Sequence, residues 1–527
     1  MAHKGDKSIF ASLYPKLNAE QKKSLQLIEQ KKSVCNTGPG GSGKTWFTEE
    51  VIRCLPKKGT VAVTATTALA AKALPDGKTL HRFLGIGVRN PEDRKAIQQM
   101  HKETKLLIID EISMASARFM DEASKILQKS RKKWLPFGGI QLLCVGDFLQ
   151  LPPVSKAGEP KEQFAFHSKA WKAAQIQTIE FTKIKRQEGD DTFKEMLNEI
   201  RFGFVSARTD QALRSRIDVK PNLPVGIKPS SLFAIRKAVA DLNTQELEKL
   251  PGRSTSFYAQ DSSPDKALEK SNRFPYLREQ ADKQLRCPRE LKLREGAQVV
   301  LLRNKYIEDG LVNGSRGVVV GFRLPDGQGE EEKKKTNNNN KKSKYSAEEL
   351  ELLQAVGFEF DDDERTQDSH VMFEAMKKEE KKVAPASTEL LPIVKFENGV
   401  VKIIGRADFD IEEGGKTVLI RKQLPLDLAW GLTIHACQGM TLTAVKVSFK
   451  NMFEDGQVYV ALSRCPRLDC VTITDYDRSK IKANPDAVEF YRRLGGGKLP
   501  IDTKAQAQKK AFIDSIGNNN NSSSYCW

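Results

Sequence analysis

Short apolar runs separated by helical patterns dominate the first third of the chain. Three of them occupy Val61–Val63, Leu106–Ile109 and Leu142–Val145, and each is followed by a polar or glycine-containing turn and a helical or loop stretch. Runs this short, bounded by turn signals, are typical of buried parallel strands in an α/β domain. Before them, Leu17–Arg53 is expected to form a helix, a loop and a second helix, with the apolar-poor stretch Ser33–Thr37 leading into the loop.

A second series of apolar runs predicts a second α/β domain. Its members are Thr178–Phe181, Leu232–Ile235, Val445–Phe449 and Val471–Thr474. Between Leu291 and Leu424 the series is interrupted by glycine-punctuated segments with β character, which are Gln298–Leu302, Gly317–Phe322 and Val400–Ile404. This interruption predicts a small β-barrel inserted into the second domain.

The predicted boundaries are an N-terminal extension (1–16), a first domain (17–175), a second domain (176–290 with 425–480), an inserted barrel (291–424) and a C-terminal tail (481–527). Within the barrel, residues 325–387 carry runs of one charge and an asparagine tract, such as Glu330–Lys335 and Asn337–Asn340. Such compositions bury too little apolar surface to fold. This insertion and the tail from about residue 495 are therefore expected to be mostly disordered.

The charge balance points to an acidic partner. The 527 residues carry a formal net charge of +18, with a pI near 9.3. Such a surplus favours nucleic acid first, although charge alone fits a merely basic protein equally well. No apolar run approaches membrane-spanning length, and no secretory or arginine-rich transit signal is visible at the N-terminus. The eight scattered cysteines lack zinc-site spacing and favour free thiols in a reducing compartment.

The segment from Gly38 to Thr45 fits the phosphate-binding pattern G-x-x-x-x-G-K-[ST] in full. Its residues are Gly38, Pro39, Gly40, Gly41, Ser42, Gly43, Lys44 and Thr45. The glycines let backbone N–H groups surround phosphates, Lys44 neutralises the β- and γ-oxygens, and the Thr45 hydroxyl holds Mg²⁺. An ordinary glycine-rich turn is the alternative, but the helical pattern that follows favours phosphate binding.

Further chemistry is predicted at the ends of the next strands. Asp110 and Glu111 end one strand, where Asp110 would hold Mg²⁺ and Glu111 would polarise the attacking water. Gln150 follows the next strand and is a candidate contact to the γ-phosphate. Arg186 and Arg464 are candidates to meet the charge that develops on the transferred phosphoryl group. From spacing alone, each arginine is explained more simply as a solvated surface residue.

Several segments occur together in an order that is hard to obtain by chance. They are Asp110–Met114, Pro136–Gln141, Gly146–Val154, Gly310–Gly314, Leu424–Trp430 and Gln457–Arg464. With the phosphate loop, they resemble the PIF-type (petite integration frequency) 5′-to-3′ DNA helicases of superfamily 1. The resemblance runs from about Leu17 to Asp477 and leaves out the charged insertion.

The resemblance implies an α/β fold of two RecA-like P-loop motor domains that use ATP and Mg²⁺. It makes Gln21 the adenine-reading residue and places Gly439 in a motif that couples ATP to DNA. It also makes Arg186 and Arg464 arginine fingers. The DNA contacts that it implies are Thr64, Thr66, His81, Phe83, His435 and Thr441. From the residues alone, His81 and Phe83 are explained more simply as core or groove-lining residues.

The same resemblance assigns Val88–Thr104 to a small strand-separating wedge and the inserted barrel to a Src-homology-3-like subdomain. There is one departure from the family pattern, because Ala436 and Cys437 stand where a lysine and a serine are common. One polar or phosphate contact in this motif is therefore in doubt.

The expected activity is ATP-dependent 5′-to-3′ translocation on single-stranded DNA with unwinding of duplex or forked DNA, by a monomeric motor in the nucleus or mitochondrion. RNA–DNA hybrids and G-quadruplexes are further candidate substrates, and repair, recombination, replication and telomere maintenance are candidate roles. The alternatives are a DNA-stimulated translocase or transposase module without autonomous unwinding, a binding module without catalysis, and another P-loop class. The GTPase signature N-K-x-D is absent, since Asn304-Lys305 continues to Tyr306-Ile307.

Overall fold

The computed structural model describes residues 9–55, 60–88, 91–155, 160–221, 228–285, 287–303, 305–311, 313–324, 390–413 and 416–497. The predicted low-complexity insertion 325–387 and the tail beyond residue 497 lie outside the described residues.

The helices and strands alternate along both α/β regions. The helices are α1 (Ala19–Glu29), α2 (Lys44–Cys54), α3 (Ala68–Ala73), α4 (Leu80–Phe83), α5 (Pro91–Glu103), α6 (Ala117–Arg131), α7 (Lys169–Ala173), α8 (Asp191–Arg201), α9 (Ala207–Arg214), α10 (Arg236–Glu248), α11 (Lys266–Glu269), α12 (Phe274–Gln284), α13 (Gln457–Leu462) and α14 (Pro485–Leu494). The strands are β1 (Val34–Thr37), β2 (Val61–Ala65), β3 (Lys78–Thr79), β4 (Leu106–Asp110), β5 (Gln141–Val145), β6 (Gln177–Glu180), β7 (Ser230–Phe233), β8 (Thr255–Tyr258), β9 (Gln260–Ser262), β10 (Glu290–Leu293), β11 (Gln298–Leu301), β12 (Arg316–Arg323), β13 (Leu391–Phe396), β14 (Val401–Ile403), β15 (Ala407–Glu413), β16 (Lys416–Gln423), β17 (Leu426–Leu428), β18 (Gly431–Thr433), β19 (Val445–Ser448) and β20 (Val471–Asp475).

The first domain is built on a parallel sheet in the order β3-β2-β4-β5-β1-β6. The runs predicted at Val61, Leu106 and Leu142 are confirmed as the strands β2, β4 and β5. Apolar side chains from both faces of this sheet form two buried clusters, since helices cover both faces of a parallel sheet.

Two predictions about this sheet were wrong. The stretch around Thr37, expected as a loop, is the buried strand β1, and Ser24 donates a 2.7 Å hydrogen bond to the polar Asn36 side chain of that strand. The run at Thr178–Phe181, assigned to the second domain, is β6, which pairs with β1 in register Val34 to Gln177. Both errors have one cause, because strand pairing depends on contacts far apart in sequence.

The second domain contains a smaller parallel sheet in the order β18-β7-β19-β20. The runs predicted at Leu232, Val445 and Val471 are confirmed as strands of this sheet. The two parallel sheets with flanking helices fit two RecA-like domains. The short strand β18 (Gly431–Thr433) was not foreseen.

The predicted β-rich region is antiparallel and lies between the strands of the second sheet in sequence. Five strands form a sheet in the order β14-β13-β12-β11-β17, three more pair as β15-β16-β9, and β10 pairs with β8. The five-stranded sheet encloses an apolar cluster with Val299, Val319, Val394 and the buried Trp430. Closure of these strands into a barrel remains a prediction.

Helix α14 follows the last strand of the second sheet but packs on the first domain. Phe490 stacks on Phe166 with centroids 4.6 Å apart and meets the Phe148 ring at 5.0 Å. Ala487, Val488 and Tyr491 belong to the same buried cluster as the first-domain core. The helix α14, placed in the tail (481–527) by the sequence analysis, thus contributes to the first domain, whereas Ile481 packs in the core of the second.

Among the described residues, no helix combines the length and apolar character that crossing a bilayer requires.

Candidate nucleotide and nucleic-acid sites

The phosphate loop joins the end of β1 to the N-terminus of α2. Gly38 has φ +128°, and a Cβ there would lie 2.3 Å from the Phe181 carbonyl oxygen, so only glycine fits. Gly43 has φ +83° at the N-cap of α2, which leaves the first helical N–H groups free to face an anion. The loop thus has the backbone conformation and the electrostatics of a phosphate-binding site.

Lys44 lies across this loop. Its ammonium donates hydrogen bonds to the carbonyl oxygens of Gly38 at 2.6 Å and Pro39 at 2.8 Å. Burial lowers the pKa of Lys44 to about 8, although the carboxylates of Asp147, Glu111 and Asp110 act in the opposite direction. An anion beside this ammonium would favour its charged form.

Gln21 supplies a buried polar group at the edge of the loop. Its Oε1 accepts a hydrogen bond from the Asn18 N–H in a capping box at the start of α1. Its Nε2 lies 3.5 Å from where a Cβ on Gly43 would stand, and it has no hydrogen-bond partner among the described residues. A buried donor without a partner is costly, so it fits an acceptor on a bound ligand such as an adenine ring.

The two carboxylates predicted at the end of β4 lie in the same cleft. Burial raises the pKa of Glu111, and the neighbouring Asp110 carboxylate raises it further, while Lys44 opposes both effects. Burial likewise raises the pKa of Asp110, although the hydrogen bond from the Glu111 N–H and the charge of Lys44 lower it. Glu111 adopts left-handed φ/ψ of 53° and 44°, a conformation that costs about 1–3 kcal/mol and is found most often at functional sites.

Arg464 reaches the phosphate loop from the second domain, whereas Arg186 follows β6 of the first sheet and packs on the loop at Gly41. A Cβ on Gly40 would lie 3.1 Å from Nη2 of Arg464 and 3.6 Å from Nη1 of Arg186, so both guanidinium groups lie against the loop backbone. Burial, and then the charge of Arg464, lower the pKa of Arg186 to about 9. With Lys44, three cations converge on one loop, which is the electrostatic pattern of a polyphosphate site.

Two further residues complete the cleft and were not singled out from the sequence. Gln438 donates from Nε2 to the Glu111 carboxylate at 2.7 Å, and the Tyr459 hydroxyl accepts a hydrogen bond from the Gly40 N–H at 2.9 Å. Both residues belong to the second domain. Their positions in the sequence could have identified them, since Gln438 immediately precedes the predicted site residue Gly439 and Tyr459 lies five residues before Arg464.

Gln150 lies beside the cleft and is held by Asp147. Its Nε2 donates to the Asp147 carboxylate at 3.3 Å, and its backbone N–H donates to the Asp147 carbonyl at 2.9 Å. Gly456 of the second domain packs so closely that a Cβ there would lie 2.4 Å from the Gln150 carbonyl oxygen. Gln150 therefore lies where the two domains meet.

The residues present fit ATP with Mg²⁺. Asp110 is a buried carboxylate, the Thr45 side chain is exposed, and these are the hard oxygen ligands that Mg²⁺ prefers. Burial of an unpaired carboxylate is unfavourable, so a bound cation would offset that cost. Gly439 is exposed, a Cβ added to it would meet no atom within 4 Å, and its carbonyl accepts a 3.3 Å hydrogen bond from Arg186.

Two of the predicted DNA contacts are corrected by the structure. Phe83 is fully buried in the first-domain core and cannot stack on a base. Thr64 is also fully buried, and its hydroxyl donates to the Ile108 carbonyl, because it faces inward from a central strand. Thr441 is exposed and accepts a 3.0 Å hydrogen bond from Nε of Arg186, and its contact with DNA stays a prediction.

The other three remain candidates. His81 is exposed and stacks on Phe119 with centroids 4.4 Å apart. The Thr66 hydroxyl donates to the Glu111 carbonyl, which connects this loop to the carboxylate pair. His435 is half-buried, and burial followed by the charge of Arg236 lowers its pKa, so the neutral ring is favoured.

At the departure from the family pattern, Ala436 and Cys437 make hydrogen bonds within the protein. Cys437 is fully buried, and its Sγ donates to the Ile434 carbonyl at 3.2 Å. Its backbone carbonyl accepts a 3.4 Å hydrogen bond from Arg464. This motif therefore supports the arginine through its backbone.

The wedge predicted at Val88–Thr104 is mainly the helix α5. This helix packs on α6, and its buried His101 bonds the Phe83 carbonyl at 2.7 Å and the Ser130 hydroxyl at 2.9 Å. The helix is therefore firmly attached to the first domain, and its role as a wedge stays a prediction.

Known proteins share both the sequence pattern and the fold. A family model described as PIF1-like helicase matches residues 16–211, and one described as DNA helicase Pif1, 2B domain, matches residues 279–322. The ATP-dependent DNA helicase PIF1 of Homo sapiens is 33% identical over 92% of this chain and 65% of its own length. The protein of the same name from Rattus norvegicus is 32% identical over 96% of this chain and 68% of its own length. The chain thus spans about two thirds of the length of these relatives.

A solved structure leads to the same conclusion. The crystal structure of Pif1 helicase from Candida albicans has a TM-score of 0.66 and 31% identity, and the match covers 91% of this chain and 99% of that one. With the phosphate loop, the carboxylate pair and the arginines in one cleft, these matches show that the chain belongs to the PIF1-like helicase family.

Proposed function

We propose that this protein is an ATP-dependent DNA helicase that moves 5′-to-3′ on single-stranded DNA and unwinds duplex or forked DNA. The observation that carries the proposal is that Arg464 of the second domain lies against Gly40 of the phosphate loop, beside Arg186, which itself donates hydrogen bonds to the second domain. A site shared between two domains links hydrolysis to their relative movement, which is what a motor requires.

The side chains divide the work of hydrolysis. Lys44 and the loop N–H groups bind the β- and γ-phosphates, and Gln21 orients the adenine through its free amide. Thr45 and Asp110 would hold Mg²⁺, which supplies charge neutralisation at the phosphoryl oxygens. Glu111, oriented by Gln438, holds and deprotonates the attacking water. Arg186 and Arg464 stabilise the charge that develops on the transferred group.

Three further residues, Thr66, His81 and His435, connect hydrolysis to DNA. The Thr66 hydroxyl donates a hydrogen bond to the Glu111 carbonyl, and His81 has an exposed ring that can meet a base. His435 lies three residues before Gln438, which contacts Glu111. Contacts of this kind hold single-stranded DNA without reading its sequence, through stacking and backbone groups.

Finer assignments belong to the same proposal. The β-rich region forms a small Src-homology-3-like barrel, α5 acts in strand separation, and the motor works as a monomer in the nucleus or mitochondrion. The substrates include forked DNA, with RNA–DNA hybrids and G-quadruplexes as candidates. The cellular roles are repair, recombination, replication or telomere maintenance.

Steady-state ATP hydrolysis, measured with and without single-stranded DNA, tests the proposal. The expected result is hydrolysis that DNA stimulates and that Glu111→Gln abolishes while a fluorescent ATP analogue still binds. Glu122→Gln, an exposed glutamate on α6, is the matched control and keeps full activity. Hydrolysis that is indifferent to DNA, or unchanged in Glu111→Gln, would contradict the proposal.

A further inference from the structure

A buried polar network lies behind the proposed ATP site and has no part in the scheme above. The Tyr491 hydroxyl of α14 donates to Oδ1 of Asp147 at 2.9 Å. The Thr37 hydroxyl bonds the same phenol oxygen, and because Tyr491 donates to Asp147, Thr37 is the donor of this second bond. Tyr491 thus joins Thr37, which precedes the phosphate loop, to Asp147, which holds Gln150.

Arg201 completes this network from α8. Its guanidinium donates to the Asp147 carboxylate at 2.8 Å from Nη2 and 3.1 Å from Nε, and its Cζ lies 4.4 Å from the centre of the Tyr491 ring. Arg201, Asp147 and Tyr491 are each only 1% exposed. Burial would raise the pKa of Asp147, but Arg201 and Tyr491 outweigh it and the pKa is lowered, so the carboxylate is charged.

The network has a mechanical consequence for the site. Asp147 Oδ1 also accepts the Leu149 N–H at 3.2 Å, and Oδ2 accepts from the Gln150 side chain at 3.3 Å. The carboxylate therefore fixes the turn that carries Gln150, and Tyr491 fixes one of its oxygens. A helix that follows the second sheet in sequence thereby reaches both Gln150 and the phosphate loop.

We propose that Tyr491 is a positioning residue for ATP hydrolysis, which makes α14 a working part of the motor. The inference rests on the proposed function. Tyr491 touches neither nucleotide nor water in this scheme and acts through Thr37 and Asp147. Loss of its hydroxyl lowers kcat more than it raises the KM for ATP, because the groups that bind the nucleotide are all retained, whereas the phosphate loop and the turn that carries Gln150 each lose one hydrogen bond that holds them.

Tyr491→Phe is the variant that isolates the hydroxyl. It keeps the ring over Arg201 and the apolar contacts of α14, and Asp147 keeps both bonds from Arg201, so the fold is retained. The chain offers a matched control at Tyr476, whose hydroxyl donates to Asp210 at 2.6 Å and whose ring lies 4.7 Å from Cζ of Arg214. Tyr476→Phe removes the same type of bond at a tyrosine–aspartate–arginine group with no link to the ATP site.

The test measures DNA-stimulated ATP hydrolysis by both variants, with amide hydrogen exchange over residues 36–45 and 147–151. Tyr491→Phe is expected to lower kcat about tenfold, with KM within about twofold, and to speed exchange in both segments; Tyr476→Phe changes neither. Equal kcat and exchange in Tyr491→Phe and wild type would overturn the inference. If the wild type hydrolyses no ATP, the proposed function fails. Unchanged amide exchange in Tyr491→Phe would separately overturn the link between Tyr491 and the phosphate loop.

Discussion

Gln438 donates a 2.7 Å hydrogen bond to the Glu111 carboxylate, which joins the second domain to the proposed general base of the first. Because the bond crosses the cleft, the orientation of Glu111 depends on the cleft being closed. This relationship explains how a motor can delay hydrolysis until both domains grip the nucleotide.

Gln438→Ala tests that dependence. The variant should bind ATP with unchanged affinity and hydrolyse it at least about tenfold more slowly, since the base loses its orientation. Gln211→Ala, at an exposed glutamine on α9, should behave as wild type. The measurement is single-turnover hydrolysis beside nucleotide affinity, and an unchanged rate in Gln438→Ala would rule out the orienting role.

Arg186→Ala should leave a site that binds ATP but cannot stabilise the charge of the transition state. Arg186 also donates hydrogen bonds to Thr441, Gly439 and the Ser463 carbonyl, so its guanidinium is firmly placed. Loss of an arginine finger lowers kcat by about a thousandfold or more. Arg208→Ala, at an exposed arginine paired with Glu195, is the control. A decrease of less than about tenfold in steady-state hydrolysis would remove Arg186 from the catalytic set.

Arg201→Met should destabilise the fold by about 3–5 kcal/mol at neutral pH, because it leaves the Asp147 carboxylate buried and unpaired. Arg214→Met, which removes the partner of Asp210 near the surface, should cost much less stability than Arg201→Met. Urea unfolding of both variants gives these values. A small loss for Arg201→Met would mean that Asp147 does not need its partner.

The pH dependence of Arg201→Met has a definite sign. Without Arg201, the largest influence that lowers the pKa of Asp147 is lost while burial still raises it, so this pKa is higher in the variant than in the wild type, although Lys44 and Tyr491 still lower it. The stability that the variant lacks relative to the wild type therefore increases as pH rises from about 4 towards the Asp147 pKa of the variant. In the wild type the pKa is lowered, so Asp147 stays charged across that range. A constant difference between the two proteins from about pH 4 to 7 would contradict this account.

Gly456→Ala should disturb Gln150, because the added Cβ would lie 2.4 Å from the Gln150 carbonyl oxygen. Gly399→Ala is the matched control, since Gly399 has a similar φ of +86° but nothing within 4 Å. The control should cost only the strain of a left-handed alanine, about 1–2 kcal/mol. Thermal unfolding and ATP hydrolysis should both decline further in Gly456→Ala, and equal behaviour of the two variants would argue against the contact.

The local chemistry of the site could be predicted from the sequence, whereas its long-range contacts could not. Lys44, Asp110 and Glu111 each lie at or just after the end of a strand, inside a short sequence motif. Their roles can therefore be inferred from the residues next to them in sequence. Thr178–Phe181 was assigned to the wrong sheet because its partner β1 lies more than a hundred residues away. For the same reason, no local pattern reveals that Tyr491 bonds Asp147.

The DNA contacts illustrate a second limit. Thr64 and Phe83 lie in segments that resemble DNA-binding motifs, yet both side chains point into the core. A motif identifies a segment, whereas the direction of each side chain depends on the sheet or helix that carries it. His81, two residues from Phe83, is the exposed member of that motif.

Strand separation on labelled forks tests the central claim most directly. One fork carries a 5′ single-stranded tail and the other a 3′ tail, and the wild type is compared with Lys44→Ala. The account predicts ATP-dependent unwinding of the 5′-tailed fork alone, with no unwinding by the variant. Hydrolysis without strand separation would indicate a translocase that needs a partner, and unwinding from the 3′ tail or by Lys44→Ala would contradict the account.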